Sequence, residues 1–418
     1  KVSKPLKIGS MELKNRVGVA PMTLSCEDPN GFVSEIQRNF YKTRAAGGVG
    51  FIEMDAVTVD STIPYRGPTT SMADDRYIAP MKEVTDEIHA YGCKIIAQIV
   101  HAGPESFIGF MGQNPPAPSV YMNDMGNMTR AIDKSEIPDI VKKFGEACRR
   151  AEAAGFDGVQ LHCGHAYMLL GAFLSPLRNH RTDEYGGCLD NRARLTMEVL
   201  TEVRKNVSPD FPIILRVSGD ERYPGGNTLS DMLYLAPKFA AAGVSAIEVS
   251  GGANYEEPWD IIPCHGCPAG INVPEAAAIK KVVDIPVMVV GKINDIRLGA
   301  DLVDRDVVDA IVMGRPFFAE PELVNKAMAG AFEDIAPCAS CGGCVSYDPA
   351  EGFSGPKCHI NPRLFHELEY PMVPTDGPKK KVLIIGGGIG GMEAAYTAAV
   401  RGHSVTLWER SRTLGGHL

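Results

Sequence analysis

The stretch GVQLHCGHAYMLLGAFLSPLRNH, residues 158–180, decides the fold. It opens on a short, near-continuous apolar run, the pattern of a parallel strand buried on both faces. The run then breaks into His162, His165 and Tyr167, three side chains suited to proton and carbonyl chemistry. Working outward, the same order of apolar run, polar or glycine-rich turn and amphipathic stretch recurs. The other runs lie at 16–20, 50–55, 94–100, 213–217, 246–250, 287–290 and 310–313. Between them, stretches such as 137–154 and 189–206 carry helical spacing. Eight β-then-α units predict an α/β fold, a (β/α)8 barrel over residues 1–335.

The chemistry falls at one end of these runs. Pro21, Met22 and Thr23 follow the first, and His101 follows the third. The fifth contains Arg216, the seventh leads to Gly291 and Lys292, and the eighth leads to Gly314 and Arg315. A barrel builds its active site at the C-terminal ends of its strands, so this placement is expected there.

Two segments follow the barrel. Residues 336–380 form a Cys-, Gly- and Pro-rich loop and a linker in which Pro371, Pro374 and Pro378 precede three lysines. Cys338, Cys341 and Cys344 are each separated by two residues, and Cys358 follows. That spacing suits an iron–sulfur ligand set better than zinc, whose four-cysteine sites usually come as two separated pairs. Cys264 and Cys267 form another C-x-x-C, read as part of a loop near the barrel mouth. Residues 381–418 begin with a buried strand, after which Gly386, Gly388 and Gly391 spell G-x-G-x-x-G. A helix, a second strand and Glu409 complete a dinucleotide-binding βαβ unit, with phosphate at the helix N-terminus and the acid on a ribose hydroxyl. One such unit cannot bury both faces of its sheet, so it is expected to be the first part of a longer, Rossmann-like FAD/NAD-binding domain.

The chain has 418 residues, 44% hydrophobic and 22% charged, ordinary for a globular protein. Its formal charge of −9 argues against a nucleic-acid surface. The apolar-looking stretch 382–400 holds five glycines and Glu393, so it reads as a turn and helix, not a membrane span. There is no secretory-type leader, and eleven cysteines with four in one cluster fit a reduced, cytoplasmic chain with a metal site. The oligomeric state is left open, a homo-oligomer included.

His162 and His165 could bind zinc, hydrogen-bond a carbonyl oxygen or satisfy the core. Zinc would want a third ligand, and none stands nearby. Two imidazoles also suit a developing enolate oxygen, and Tyr167 can supply a proton without being ionised at neutral pH.

Barrel, cysteine cluster and dinucleotide fingerprint, in that order, resemble the multidomain NADH:flavin oxidoreductases of the old yellow enzyme superfamily. That group includes 2,4-dienoyl-CoA reductases, 2-enoate reductases and trimethylamine dehydrogenase. The segment 162–187 and the cysteine spacing are the most specific parts. HAYM-x-x-x-x-FLSPLRN, DMLYLAPKF-x-AAGVS and PCASCGG are most similar to the flavin oxidoreductases of bacterial bile-acid 7-dehydroxylation. The resemblance implies FMN on the barrel top, with Met22, Thr23, Ala56 and Gln98 at the ring and Arg216 at its N1/O2 edge. It places the FMN phosphate on Gly291, Lys292, Gly314 and Arg315, and a [4Fe–4S] cluster on the four cysteines. His162 and His165 match the carbonyl-binding pair and Tyr167 the proton donor. NADH would reduce FAD in the C-terminal domain, and FMN would reduce an enone or enoyl-CoA, including a steroid enone or dienone thioester. Dienoyl-CoA reductases use a His after the sixth strand; here the loop reads GGANYEEPW, with Tyr255 the nearest candidate. Thr23 stands where trimethylamine dehydrogenase links Cys to flavin, which implies non-covalent FMN. An amine dehydrogenase and a non-catalytic electron-transfer module are the alternatives; the intact His pair and Tyr167 argue against both.

Overall fold

The structure is a computed structural model that describes residues 1–65, 67–253, 258–345, 356–371, 373–374 and 376–416. Tyr255 lies outside the described residues. The chain forms two compact units, Lys1–Pro362 and Arg363–Leu418.

In the first unit eight parallel strands close into a barrel in sequential order. They are β1 Val17–Val19, β2 Phe51–Thr58, β3 Lys94–Val100 and β4 Gly158–His162. Then come β5 Ile213–Ser218, β6 Ala246–Ser250, β7 Val287–Val290 and β8 Ala310–Met313. These are the eight runs read from the sequence. They were legible because the strands are buried on both faces, leaving no alternation to confuse with a helix.

The helices follow equally simple rules. Ile137–Ala153 starts with a proline in its first turn, where no backbone donor is missed. It buries Ile137, Ile140, Phe144, Ala147, Cys148 and Ala151, one stripe at helical spacing that faces the barrel. Full burial of a side chain such as Phe144 stabilises by about 2–3 kcal/mol.

The barrel floor is apolar. Phe51, Ile96, Ile214, Ala246, Met288, Ala310 and Val312 pack together with Ile8, Met11 and Leu13 of an N-terminal hairpin. Gly18 of β1 is required here, because a Cβ at that position would sit 2.2 Å from the Phe51 ring. One irregularity bears on the site. Met54 pairs with Ala97 and Val57 with Ile99, so Asp55 and Ala56 together face the single residue Gln98. This bulge re-aims side chains at the mouth of the barrel.

In the second unit β9 Lys381–Ile385 and β10 Ser404–Trp408 pair in parallel, joined by the helix Ile389–Val400. Gly386 takes φ +103, and a Cβ on Gly391 would lie 1.9 Å from the Gly386 oxygen. The turn therefore tolerates only glycine at these positions.

Candidate active site

The reactive side chains stand where β4 ends. His162 is its last residue, and the chain then turns through His165 at φ +64 and Ala166 at φ +56. Two successive non-glycine residues in the left-handed region cost about 1–2 kcal/mol each, a strain usually kept for functional sites. Ser218 at the end of β5 holds the turn, its Oγ accepting from the His165 backbone N–H at 2.8 Å.

A backbone hydrogen bond fixes the His162 tautomer. The Gly164 N–H donates to His162 Nδ1 at 3.3 Å, so the His162 proton is on Nε2. Nε2 lies 2.9 Å from the Tyr167 hydroxyl and donates to it. His165 Nε2 lies 2.7 Å from Ser250 Oγ, while its Nδ1 is buried with no hydrogen-bond partner among the described residues. The His165 and Tyr167 rings stack at 5.7 Å and 6°, and Tyr65 also stacks on Tyr167 at 6.1 Å. Burial, with the charge of Arg216 nearby, holds both imidazoles well below the ordinary histidine range, so both are neutral.

The residues expected at a flavin ring lie around this cluster. Met22 is half-buried after β1, Thr23 is exposed, Ala56 sits in the β2 bulge, and Gln98 and Arg216 are buried on β3 and β5. Asp55, absent from the sequence reading, ties two of these segments: it accepts from Leu24 N at 2.9 Å and from Ala56 N at 2.6 Å. Burial, with Glu27 beside it, pushes its carboxyl well above the usual carboxylate range. Arg216 Nε and Nη1 and His165 Nδ1 are buried atoms without hydrogen bonds among the described residues. Leaving each so costs about 1–3 kcal/mol, which points to a polar ligand at this mouth and fits a flavin.

Gly291, Lys292, Gly314 and Arg315 follow β7 and β8, the usual barrel phosphate position. A Cβ on Gly314 would meet Met22 Sδ at 3.0 Å, so the segments after β1 and β8 touch. Lys292 Nζ donates to the Cys264 and Cys267 carbonyls, the former at 2.9 Å. Arg315 Nη2 donates to the Pro263 carbonyl at 2.7 Å, and Nη1 to Cys264 Sγ at 3.6 Å. The C-x-x-C loop thus rests on both Lys292 and Arg315, a contact no local pattern announced.

The loop also meets the cysteine-rich segment, because His265 N donates to the Ser340 carbonyl at 2.8 Å. Cys338 and Cys344 each lie near Arg315, Cys341 and Cys358. Asn361 N donates to Cys358 Sγ at 3.4 Å, the kind of bond that supports cluster ligands. Four thiols suit iron–sulfur chemistry. Among the described residues, however, no three metal-ligating side chains gather closely enough to hold an ion.

In the second unit Gly386, Gly388 and Gly391 form the turn into the helix, with Gly388 as its N-cap. Glu409 Oε2 accepts from Gly387 N at 2.7 Å and Oε1 from Ser411 N at 2.8 Å. The acid read as a ribose ligand therefore braces the glycine turn. No helix of the described residues is long and apolar enough to cross a membrane.

Comparison with known proteins gives a consistent result. The profile of the NADH:flavin oxidoreductase / NADH oxidase family matches residues 1–333, and that of FAD dependent oxidoreductases matches 381–418. NADH oxidase of Thermoanaerobacter brockii is 37% identical over 99% of this chain and 63% of its own. Cinnamate reductase of Clostridium sporogenes is 35% identical over 99% of this chain and 65% of its own. A solved 2-naphthoyl-CoA reductase in complex with 2-naphthoyl-CoA superposes with a TM-score of 0.92 at 28% identity, covering 99% of this chain and 65% of that one. The chain thus spans less than two thirds of the length of these relatives. With its closed barrel, its strained His-Tyr turn and a profile match over four fifths of its length, the chain belongs to the NADH:flavin oxidoreductase / NADH oxidase family.

Proposed function

We propose that the chain carries the substrate-reducing barrel of an NADH-dependent ene-reductase acting on an activated C=C bond of an enone or enoyl thioester. Met22, Ala56, Gln98, Arg216 and the Lys292–Arg315 pair would hold FMN, which when bound would supply the hydride for the β-carbon. The observation that carries this reading is the pairing of Tyr167 with a neutral His162, beside an unpartnered His165 Nδ1.

Each residue has a distinct task. Ser250 Oγ lies 2.7 Å from His165 Nε2; in this reading Ser250 is the donor, so Nδ1 carries the proton and presents it to the substrate carbonyl oxygen. His162 donates to the Tyr167 oxygen, and that bond does not consume the phenol's own proton. Tyr167 gives that proton to the α-carbon, and His162 Nε2–H stabilises the phenolate that results. His162 thus supports the acid, and His165 is the carbonyl donor.

Several finer points belong to the same proposal. NADH is the electron donor, FAD binds the glycine turn, and the four cysteines hold an iron–sulfur cluster. Cinnamate reductase and 2-naphthoyl-CoA reductase among the relatives favour a conjugated acid or thioester. A steroid enone or dienone thioester rests on sequence likeness alone.

The test is anaerobic turnover with NADH and a simple enone, together with acid extraction of the flavin. One FMN per chain and formation of the saturated ketone are expected. NADH oxidation with no saturated product under any enone or enoyl thioester contradicts the reading.

A further inference from the structure

A closed polar layer lies directly above the apolar floor of the barrel. On four strands it stands two residues beyond the floor: Phe51 leads to Glu53, Ile96 to Gln98, Ile214 to Arg216 and Ala246 to Glu248. Gln160 of β4 completes it, and all five residues are buried. Gln160 Nε2 donates to Glu53 Oε1 at 2.7 Å and to Glu248 Oε2 at 2.9 Å. Gln160 Oε1 accepts from Gln98 Nε2 at 2.6 Å. Arg216 Nη1 lies 2.8 Å from Glu248 Oε1, an ion pair whose angle falls short of a hydrogen bond.

Two carboxyl groups at one end of an amide decide its orientation. That end of Gln160 has to be the NH2, so its oxygen faces Gln98. Gln98 then has to present its own NH2 to Gln160, which turns Gln98 Oε1 the other way. Among the described residues no donor is bonded to Gln98 Oε1. Burial, with Glu248 beside it, pushes the Glu53 carboxyl well above the usual carboxylate range.

A buried arrangement of this kind is poor value for stability, since apolar residues of the same volume commonly do as well. It also leaves Arg216 Nε without a hydrogen bond among the described residues. A layer that is costly and incomplete, yet settles the direction of one amide, is built for a ligand. We propose that Glu53, Gln160 and Glu248 are positioning residues that fix Gln98 as an acceptor beside the donors of Arg216, toward the pyrimidine edge of the FMN ring. That edge offers one N–H between two carbonyl oxygens, so an acceptor beside donors matches it. With the amide reversed, NH2 would face N–H. The inference rests on the flavin reading above.

The test uses the full chain stripped of flavin and titrated with FMN, followed by quenching of flavin fluorescence and by the visible spectrum. Gln160→Met keeps the volume and removes both donors and the acceptor. The double change Glu53→Gln with Glu248→Gln keeps the shapes and removes the two groups that orient Gln160. Both are expected to raise the FMN dissociation constant by about tenfold and to alter the bound flavin's vibronic bands. If Gln160→Met does not fold, the double variant decides. Wild-type binding of FMN with variants within about twofold and spectra unchanged overturns the positioning role. Failure of the wild type itself to bind FMN overturns the flavin reading instead.

Discussion

Tyr167 and the two histidines could be read from the sequence as chemistry, because three such side chains follow an apolar run within six residues. Their division of labour could not. Ser250 lies 85 positions from His165, and Ser218 lies 53 away, so neither is visible in any local pattern. Only closure of the barrel brings the ends of β4, β5 and β6 together. This gives a residue-level prediction. Ser250→Ala removes the bond that sets the His165 tautomer, at about 1 kcal/mol for a neutral hydrogen bond. Enone turnover should fall about fivefold to tenfold, with FMN content unchanged. Steady-state kinetics beside flavin extraction checks it; wild-type rates would remove Ser250 from the account.

At the scale of elements the strands were the most legible part, because burial on both faces makes each a compact apolar run. The β2 bulge was hidden, since MDAV at 54–57 reads as ordinary strand. Nor could the loop over Lys292 and Arg315 be foreseen, because its contacts are made by backbone carbonyls of 263, 264 and 267, which any residue carries. The glycine turn of the second unit was legible for the opposite reason: only glycine fits. Gly391→Ala would force a Cβ to 1.9 Å from the Gly386 oxygen, a clash the backbone has to open. Overpacking of this kind costs about 1–3 kcal/mol. Hydrogen exchange should show lost protection at the Met392 amide, which bonds the Gly388 carbonyl at 2.9 Å, while the barrel amides stay as they are. Unaltered protection at Met392 would contradict this description of the turn.

For the whole molecule, the price of a buried reactive centre appears as a pH dependence of stability. Burial pushes His101 down to about 4, and its Nδ1 accepts from Gly103 N at 3.0 Å. An unfolded histidine titrates near ~6.5. Below that value the unfolded chain binds a proton that the folded barrel refuses, so this residue's contribution is full above about 6.5 and is lost as pH falls toward 4. Glu53 and Asp55, raised by burial, act in the opposite sense, so the total slope is not diagnostic. The difference between wild type and His101→Asn is. Asn keeps an acceptor but does not titrate, and the wild type's advantage in urea unfolding should shrink by about 2 kcal/mol between pH 7 and pH 5. A constant difference would mean that His101 takes up its proton equally in the folded and unfolded chain, and would contradict its burial as the cause.

Seen entire, the family and the barrel were written in the order of the motifs, while the proton path depends on contacts between strands. The most direct test of that path is a stopped-flow comparison of the two half-reactions under anaerobic conditions in Tyr167→Phe. The substitution keeps the ring that stacks on His165 and Tyr65 and removes only the hydroxyl bonded to His162. Reduction of the flavin by NADH should proceed at the wild-type rate, while reoxidation by an enone slows by ~10²–10⁴, the worth of a positioned general acid. Reoxidation at the wild-type rate, with an enone whose reduced form is not protonated spontaneously, would contradict the account.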